Sequence, residues 1–209
     1  GVTRQGGSAG NGSNVAKHTT WSNSLQALCE SLDYGIPAVI SIDPNGMSNM
    51  IDDQALAPTM DPELAFEVGK AYSEQWRAKG ISMLLGPQID LQGSPAMSRG
   101  NCTYGEDPAL DRDITEAFVS GLQSTFDADG NDLGWGKDSV AAAMKHFAGA
   151  GASEGGRDDH SEAARFTVRL SPTEIFDECV DIGRLTSVLN HSDGADGSQI
   201  DETRIKVTV

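Results

Sequence analysis

Apolar residues recur along the chain in two alternating rhythms. Between Asp61 and Gly80, Leu64, Val68, Ala71, Tyr72 and Trp76 fall three or four apart, which predicts one buried stripe of a helix. Asp61-Pro62-Glu63 opens it: Asp caps the free N–H groups, Pro suits the first turn and Glu complements the helix dipole. Gly80 ends it. Asp107-Pro108-Ala109 starts a second helix in the same way, with Leu110, Ile114, Ala117, Phe118 and Leu122 as its stripe. Trp21, Leu25 and Leu28 give the segment from Thr20 helical spacing as well. Between the helices stand short apolar runs with β-branched residues, which predict buried strands: Ile36–Asp43, Ile81–Pro87 and the Ala-rich Ser139–His146, for which helix is the alternative. Later, Ser171-Pro172-Thr173-Glu174 matches a capping box before a helix, and Leu185–Leu189 reads as a fourth strand. Arg204–Val209 reads as a terminal strand or tail.

Strands alternating with helices point to a parallel sheet with helical crossovers, an α/β fold. The pattern alone fits both an open doubly wound sheet and a closed (β/α)8 TIM barrel. A whole barrel takes eight units and about 250 residues. With 209 residues and four strands, the chain reads as a partial barrel or an open sheet. Residues 1–19 are rich in Gly, Ser and Asn and read as a flexible lead-in. Residues 20–170 carry the regular pattern, and 171–209 a divergent or truncated end.

Charge narrows the partners. The net charge is −16, from 31 acidic and 15 basic side chains. Such a surface repels phosphate backbones and anionic lipid, so neither nucleic acid nor membrane is expected, and a neutral ligand such as a sugar fits better. No apolar run approaches the roughly 20 residues of a membrane helix. Gly1-Val2-Thr3-Arg4 lacks a charged segment leading into an apolar one, and with no initiator Met the chain reads as trimmed or as a fragment. The acidic, Gly-rich composition favours an extracellular or periplasmic setting. Cys29, Cys102 and Cys179 form no C-x-x-C pair, so no zinc site is expected. Asp127-Ala128-Asp129-Gly130-Asn131-Asp132 hints at a calcium loop, but an EF-hand wants Gly in the sixth place, and an acidic turn before the next strand is the simpler reading.

In parallel α/β folds ligands lie at the carboxyl ends of the strands. Asp43, Asp90, the pair Lys145 and His146, and Asn190–Asp193 all fall there. Each alone has a structural reading: Asp43 and Asp90 as turn or cap residues, Lys145 as a side chain reaching water, His146 as a satisfied core residue, Arg99 as a surface partner of Glu106 or Asp107. Together they suit a polyhydroxylated ring. A carboxylate accepts from two hydroxyls while Arg, Lys and His donate, and charged partners make the strongest such bonds.

At these residues the chain resembles the family 3 glycoside hydrolases, from about Trp21 to Val168. Asn23-x-Leu25-Gln26 is similar to the family's N-x-L-Q helix, and Gly35-Ile36-Pro37…Asp43 to its G-I-P strand ending in a sugar-binding Asp. Ala57-Pro58-Thr59-Met60-Asp61-Pro62 and Gly121-Leu122-Gln123 match further helix signatures. Arg99 stands seven residues before Glu106 of Gly105-Glu106-Asp107-Pro108, as the family's substrate-binding Arg does. Lys145-His146-Phe147-Ala148-Gly149-Ala150-Gly151 resembles the K-H-F-x-G-x-G signature, with Arg157 in the loop behind it.

The resemblance implies a retaining β-glucosidase-type hydrolase on a TIM-type barrel. It acts on terminal glucosyl residues of a small oligosaccharide or β-glucoside, without metal or organic cofactor. It implies that Asp43, Arg99, Lys145, His146 and Arg157 hold the sugar at the cleavage subsite, while a carboxylate attacks and an acid protonates the leaving oxygen.

Three departures stand out. The family's D-x-x-H pattern has Gly46 in the His place. Its nucleophile, in an S-D-W-like strand end, is expected farther from His146 than this chain runs; Ser192-Asp193-Gly194 is the one S-D candidate, with flanks that do not match. The acid is expected on a second domain. The chain is therefore expected to supply sugar binding more than chemistry, and to self-associate through unpaired sheet edges. A β-N-acetylhexosaminidase of the same family is the alternative, since Asp158-Asp159-His160 resembles that group's Asp-x-His acid pair in a longer loop. A non-catalytic sugar-binding fragment is the other.

Overall fold

A computed structural model describes residues 2–4, 15–43, 51, 53–146 and 156–157, the first three as backbone. They form an α/β unit. Strands β1 (Val2–Arg4), β2 (Val39–Ile42), β3 (Met83–Leu84) and β6 (Ala141–Ala142) lie in one parallel sheet, in that order. Thr3 pairs with Ile40, Ile42 with Leu84, and Leu84 with Ala142. Neighbouring strands follow one another along the chain, so each crossover returns to the next position in the sheet.

Helix α3 (Pro62–Ala78) joins β2 to β3, after the short α2 (Asp53–Leu56) and a 3₁₀ turn (Ala57–Thr59). Asp61 Oδ1 caps α3 by accepting from Leu64 N at 3.0 Å. Gly80, at φ 78°, ends it, with Ile81 N donating back to Trp76 O. Helix α4 (Pro108–Gln123) is capped by Asp107, whose Oδ1 accepts from Ala109 N and Leu110 N. The predicted stripes are the buried faces. Val68, Tyr72 and Trp76 of α3 and Ile114, Phe118 and Leu122 of α4 close over Ile40, Ile42, Leu84 and Val140. A fully buried side chain of this kind contributes roughly 1.5–3 kcal/mol.

The two helices meet at glycines. A Cβ on Gly69 would stand 3.0 Å from the Phe118 carbonyl carbon and closer still to its oxygen; a Cβ on Gly121 would stand 2.9 Å from the Phe66 carbonyl carbon. Backbone therefore touches backbone in both directions.

Helix α1 (Val15–Glu30) departs from its pattern. It begins at Val15 rather than near Thr20, and β1 also falls in the segment read as a flexible lead-in. Trp21 and Leu28, two of the three apolar residues that set its helical spacing, are 44% and 59% exposed. The helix is held by polar bonds instead. Ser22 Oγ donates to Lys79 O and Thr19 Oγ1 to Ala78 O, both at 2.8 Å. Gln26 grips the backbone of Ala38 twice, Nε2 donating to its carbonyl at 2.8 Å and Oε1 accepting from its N–H at 3.0 Å.

Between α4 and β6 the chain inserts a hairpin, β4 (Ser124–Phe126) with β5 (Asp132–Trp135), where an acidic turn alone was expected. Asp127 closes its tip by accepting from Asn131 N at 2.8 Å, Asp129 N at 2.9 Å and the Asn131 side chain. These bonds hold its carboxyl below the usual range, the Asn131 side chain first among the causes. The predicted helix after Ser171, the strand Leu185–Leu189 and the Arg204–Val209 segment lie outside the described residues.

Candidate functional site

The parallel pairing sets where the functional side chains emerge. Beyond β3 and β6 the two strands stay bonded: Lys145 N donates to Pro87 O at 3.1 Å and Ile89 N to Lys145 O at 2.7 Å. This carries residues 87–90 alongside 143–146, just past the carboxyl end of β2 at Asp43. Three strand ends thus converge.

There, Lys145 Nζ donates to Asp43 Oδ1 at 2.6 Å, across 102 residues of sequence, with both side chains four-fifths or more buried. Next to them, Asp90, wholly buried, takes both polar ends of His146. Its Oδ1 accepts from the His146 backbone N–H at 3.1 Å, and its Oδ2 lies 2.7 Å from the ring Nδ1. The Lys145–His146 peptide is cis.

Arg99 and Arg157 stand on loops rather than at strand ends. Arg99, half-buried, precedes a 3₁₀ turn (Gly100–Cys102) in the long loop after β3. Arg157 follows Gly156, whose carbonyl accepts from Ser98 N at 2.9 Å. Gly156, at φ 68°, lies against the backbone of Ala96 and Met97, where a Cβ would meet the Met97 nitrogen at 2.5 Å. So the two arginines belong to loop segments stitched together one residue before each. Asp193, Gly46 and the Asp158-Asp159-His160 run lie outside the described residues.

Asp90, a strand-end residue for which the sequence leaves a structural role open, is the partner of His146 in the structure. The signal was its position, in the loop beyond β3 as Asp43 is beyond β2. Among the described residues no group of three or more His, Cys, Asp or Glu is arranged to hold a metal. Among the described residues Cys29 and Cys102 are in no disulfide, and no helix is long and apolar enough to cross a membrane. A small cavity lies elsewhere, between helices and sheet, lined by Asp53, Tyr72, Trp76, Leu84, Pro87 and Phe118. None of the converging strand-end side chains lines it.

A family model described as the glycosyl hydrolase family 3 N terminal domain matches residues 1–180. The chain belongs to glycosyl hydrolase family 3. Within the family, it is 31% identical over 169 residues to a periplasmic beta-glucosidase/beta-xylosidase of Dickeya chrysanthemi, covering 74% of this chain and 25% of that protein. It is 29% identical over 161 residues to beta-glucosidase C of Emericella nidulans, covering 70% and 25%. Among solved structures, a family 3 beta-N-acetylglucosaminidase from a Paenibacillus species superposes with TM-score 0.71 at 23% identity, over 90% of this chain and 34% of that one. An exo-1,3/1,4-beta-glucanase from a Pseudoalteromonas species gives 0.67 at 23%, over 88% and 24%. At such identity these structures speak for the α/β fold alone. The chain spans about a quarter of the length of the curated relatives it matches.

Proposed function

We propose that this chain is the amino-terminal portion of a (β/α)8-type barrel from a retaining β-glucosidase-type hydrolase, and that it supplies the sugar-binding side of the active site. The observation that carries this is the Lys145–Asp43 contact, a cation and a carboxylate from distant strands held largely buried at one rim. Asp43 accepts from ring hydroxyls, Lys145 donates to them, and His146 flanks both. Arg99 and Arg157 come in on the stitched loops to close over the same ring. An ion pair this far buried gives charge-assisted bonds, about twice as strong as neutral ones, while keeping the site compensated.

Cleavage by the retaining route needs a second carboxylate to attack and an acid to protonate the leaving oxygen. Asp193 is the candidate nucleophile within this sequence, and the acid comes from a further domain. The barrel portion takes in β1 and the start of α1 together with residues 20–170, and a divergent end follows at 171–209. Among the described residues β1 and β6 are the outer strands of the sheet, and edges left open there would favour self-association or cover by that further domain. An extracellular or periplasmic location accords with the relative named periplasmic.

The assay is hydrolysis of nitrophenyl glucoside against nitrophenyl N-acetylglucosaminide by the full chain. Faster release from the glucoside supports this reading, and the reverse assigns a β-N-acetylhexosaminidase. Background rates on both, with glucose binding retained, leave a sugar-binding fragment.

A further inference from the structure

The contacts of Asp90 go further than holding a loop. We infer that Asp90 is a positioning residue that fixes the proton on Nδ1 of His146, so that the ring offers Nε2 to the ligand as a hydrogen-bond acceptor. This rests on the sugar-binding reading above.

The argument is one of lone pairs. A carboxylate accepts and cannot donate. Asp90 Oδ1 takes the His146 backbone N–H and Oδ2 takes the ring at Nδ1, so both oxygens are committed to one residue. Nδ1 must then carry the proton, and in the neutral ring Nε2 is the acceptor. Two bonds to a wholly buried group also hold the ring plane, because rotating the imidazole would break its bond to Asp90 Oδ2.

The consequence is a matched set at the rim. Lys145 is donor only, Asp43 acceptor only, and His146 acceptor through Nε2. A sugar hydroxyl both donates and accepts, so two neighbouring hydroxyls satisfy the set by accepting from Lys145 while donating to Asp43 and to His146. The ligand class is therefore a vicinal diol. A ring with one of the two hydroxyls replaced by hydrogen loses one of the donors that this set is arranged to accept, and polar sites discriminate most strongly on such losses.

The test uses the full chain, with ring-¹⁵N histidine and His146→Gln to assign the His146 signals. At a pH where the ring is neutral, the wild type should show protonated Nδ1 and bare Nε2. In Asp90→Asn, which offers one acceptor oxygen where two are needed, the signals should move toward protonated Nε2, and glucose affinity should fall at least tenfold. In a His146→Gln background the same Asp90→Asn change should leave glucose affinity within about twofold, since Asp90 acts through His146. A loss of similar size in both backgrounds would mark a merely structural role and overturn the proposal. A wild-type spectrum with protonated Nε2 overturns it even if Asp90→Asn does not fold. Failure of the wild type to bind glucose overturns the functional reading and the diol claim with it, while the spectrum still decides the proton's position.

Discussion

The α3–α4 contact gives the sharpest structural prediction, because it can be worked from two glycines. A methyl on Gly69 would stand 3.0 Å from the Phe118 carbonyl carbon and 3.1 Å from Leu122 N; on Gly121, 2.9 Å from the Phe66 carbonyl carbon and 3.0 Å from Lys70 N. These obstacles are backbone, so no rotamer change relieves them. The tightest obstacle is the carbonyl oxygen, nearer still to either methyl, so restoring a separation of about 3.5 Å requires the helices to part by roughly 1.4 Å, which forfeits about half or more of each affected contact. Overpacking of this kind costs about 1–3 kcal/mol, and the backbone obstacle puts it at the top of that range. The better helix propensity of Ala returns about 1 kcal/mol. Gly69→Ala and Gly121→Ala should therefore each destabilise the chain by about 2 kcal/mol. Because one separation of the helices makes room for both methyls, the double variant should cost clearly less than the sum. Urea unfolding measures this, with Glu74→Ala on the exposed face of α3 as the control. A lowered midpoint at unchanged slope is expected. Either single variant unfolding at or above the wild-type midpoint would refute the close-approach argument, and full additivity would refute the shared displacement.

Three more outcomes follow from particular side chains. Gln26→Ala strands the N–H and carbonyl of Ala38 just before β2 and should cost about 1–3 kcal/mol in the same unfolding assay; a neutral result would show that water replaces the clamp. The hydroxyl of Tyr104 is buried near Asp53 and Asp111 but makes no hydrogen bond of ordinary geometry; burial first, then those carboxylates, push its ionisation well above the usual range. The folded state thus holds this proton more tightly than the unfolded chain, so the contribution is whole below about pH 10 and lost as pH rises above it. Tyr104→Phe should cost under about 1 kcal/mol at neutral pH and remove part of the alkaline loss, and an unchanged alkaline slope would contradict this. Asp127 has the opposite sign: its depressed carboxyl supports the hairpin tip above the ordinary carboxylate range and releases it as pH falls through the folded value. Asn131→Ala should raise the Asp127 titration midpoint, read by carboxyl NMR, and an unmoved midpoint would show that Asn131 is not the chief cause.

The two capped helices were legible because their chemistry is local. Asp61 and Asp107 cap as their Asp-Pro sequences predict, and the stripes ending in Trp76 and Leu122 are buried. Helix α1 shows where periodicity misleads. Its apolar spacing is helical, yet its anchors are Ser22, Thr19 and Gln26, whose partners stand on distant segments that no local pattern names. The hairpin was hidden for a similar reason: the Asp-rich tip reads as a turn, but strand status for Ser124–Phe126 and Asp132–Trp135 comes from their pairing. At the site, Asp43 and Lys145 were each identified from strand ends, while their direct contact depends on register. Asp90 needed the register too, since only the pairing of 87–90 with 143–146 brings its carboxylate to His146.

The central claim, that Asp43 and Lys145 grip a neutral sugar together, is tested most directly by calorimetric titration of glucose into the wild-type chain and its Asp43→Ala and Lys145→Ala variants. The account predicts binding that Asp43→Ala abolishes and that Lys145→Ala weakens by about 1.5–3 kcal/mol, the worth of a charged hydrogen bond. Glucose binding of wild-type strength in either variant would contradict it.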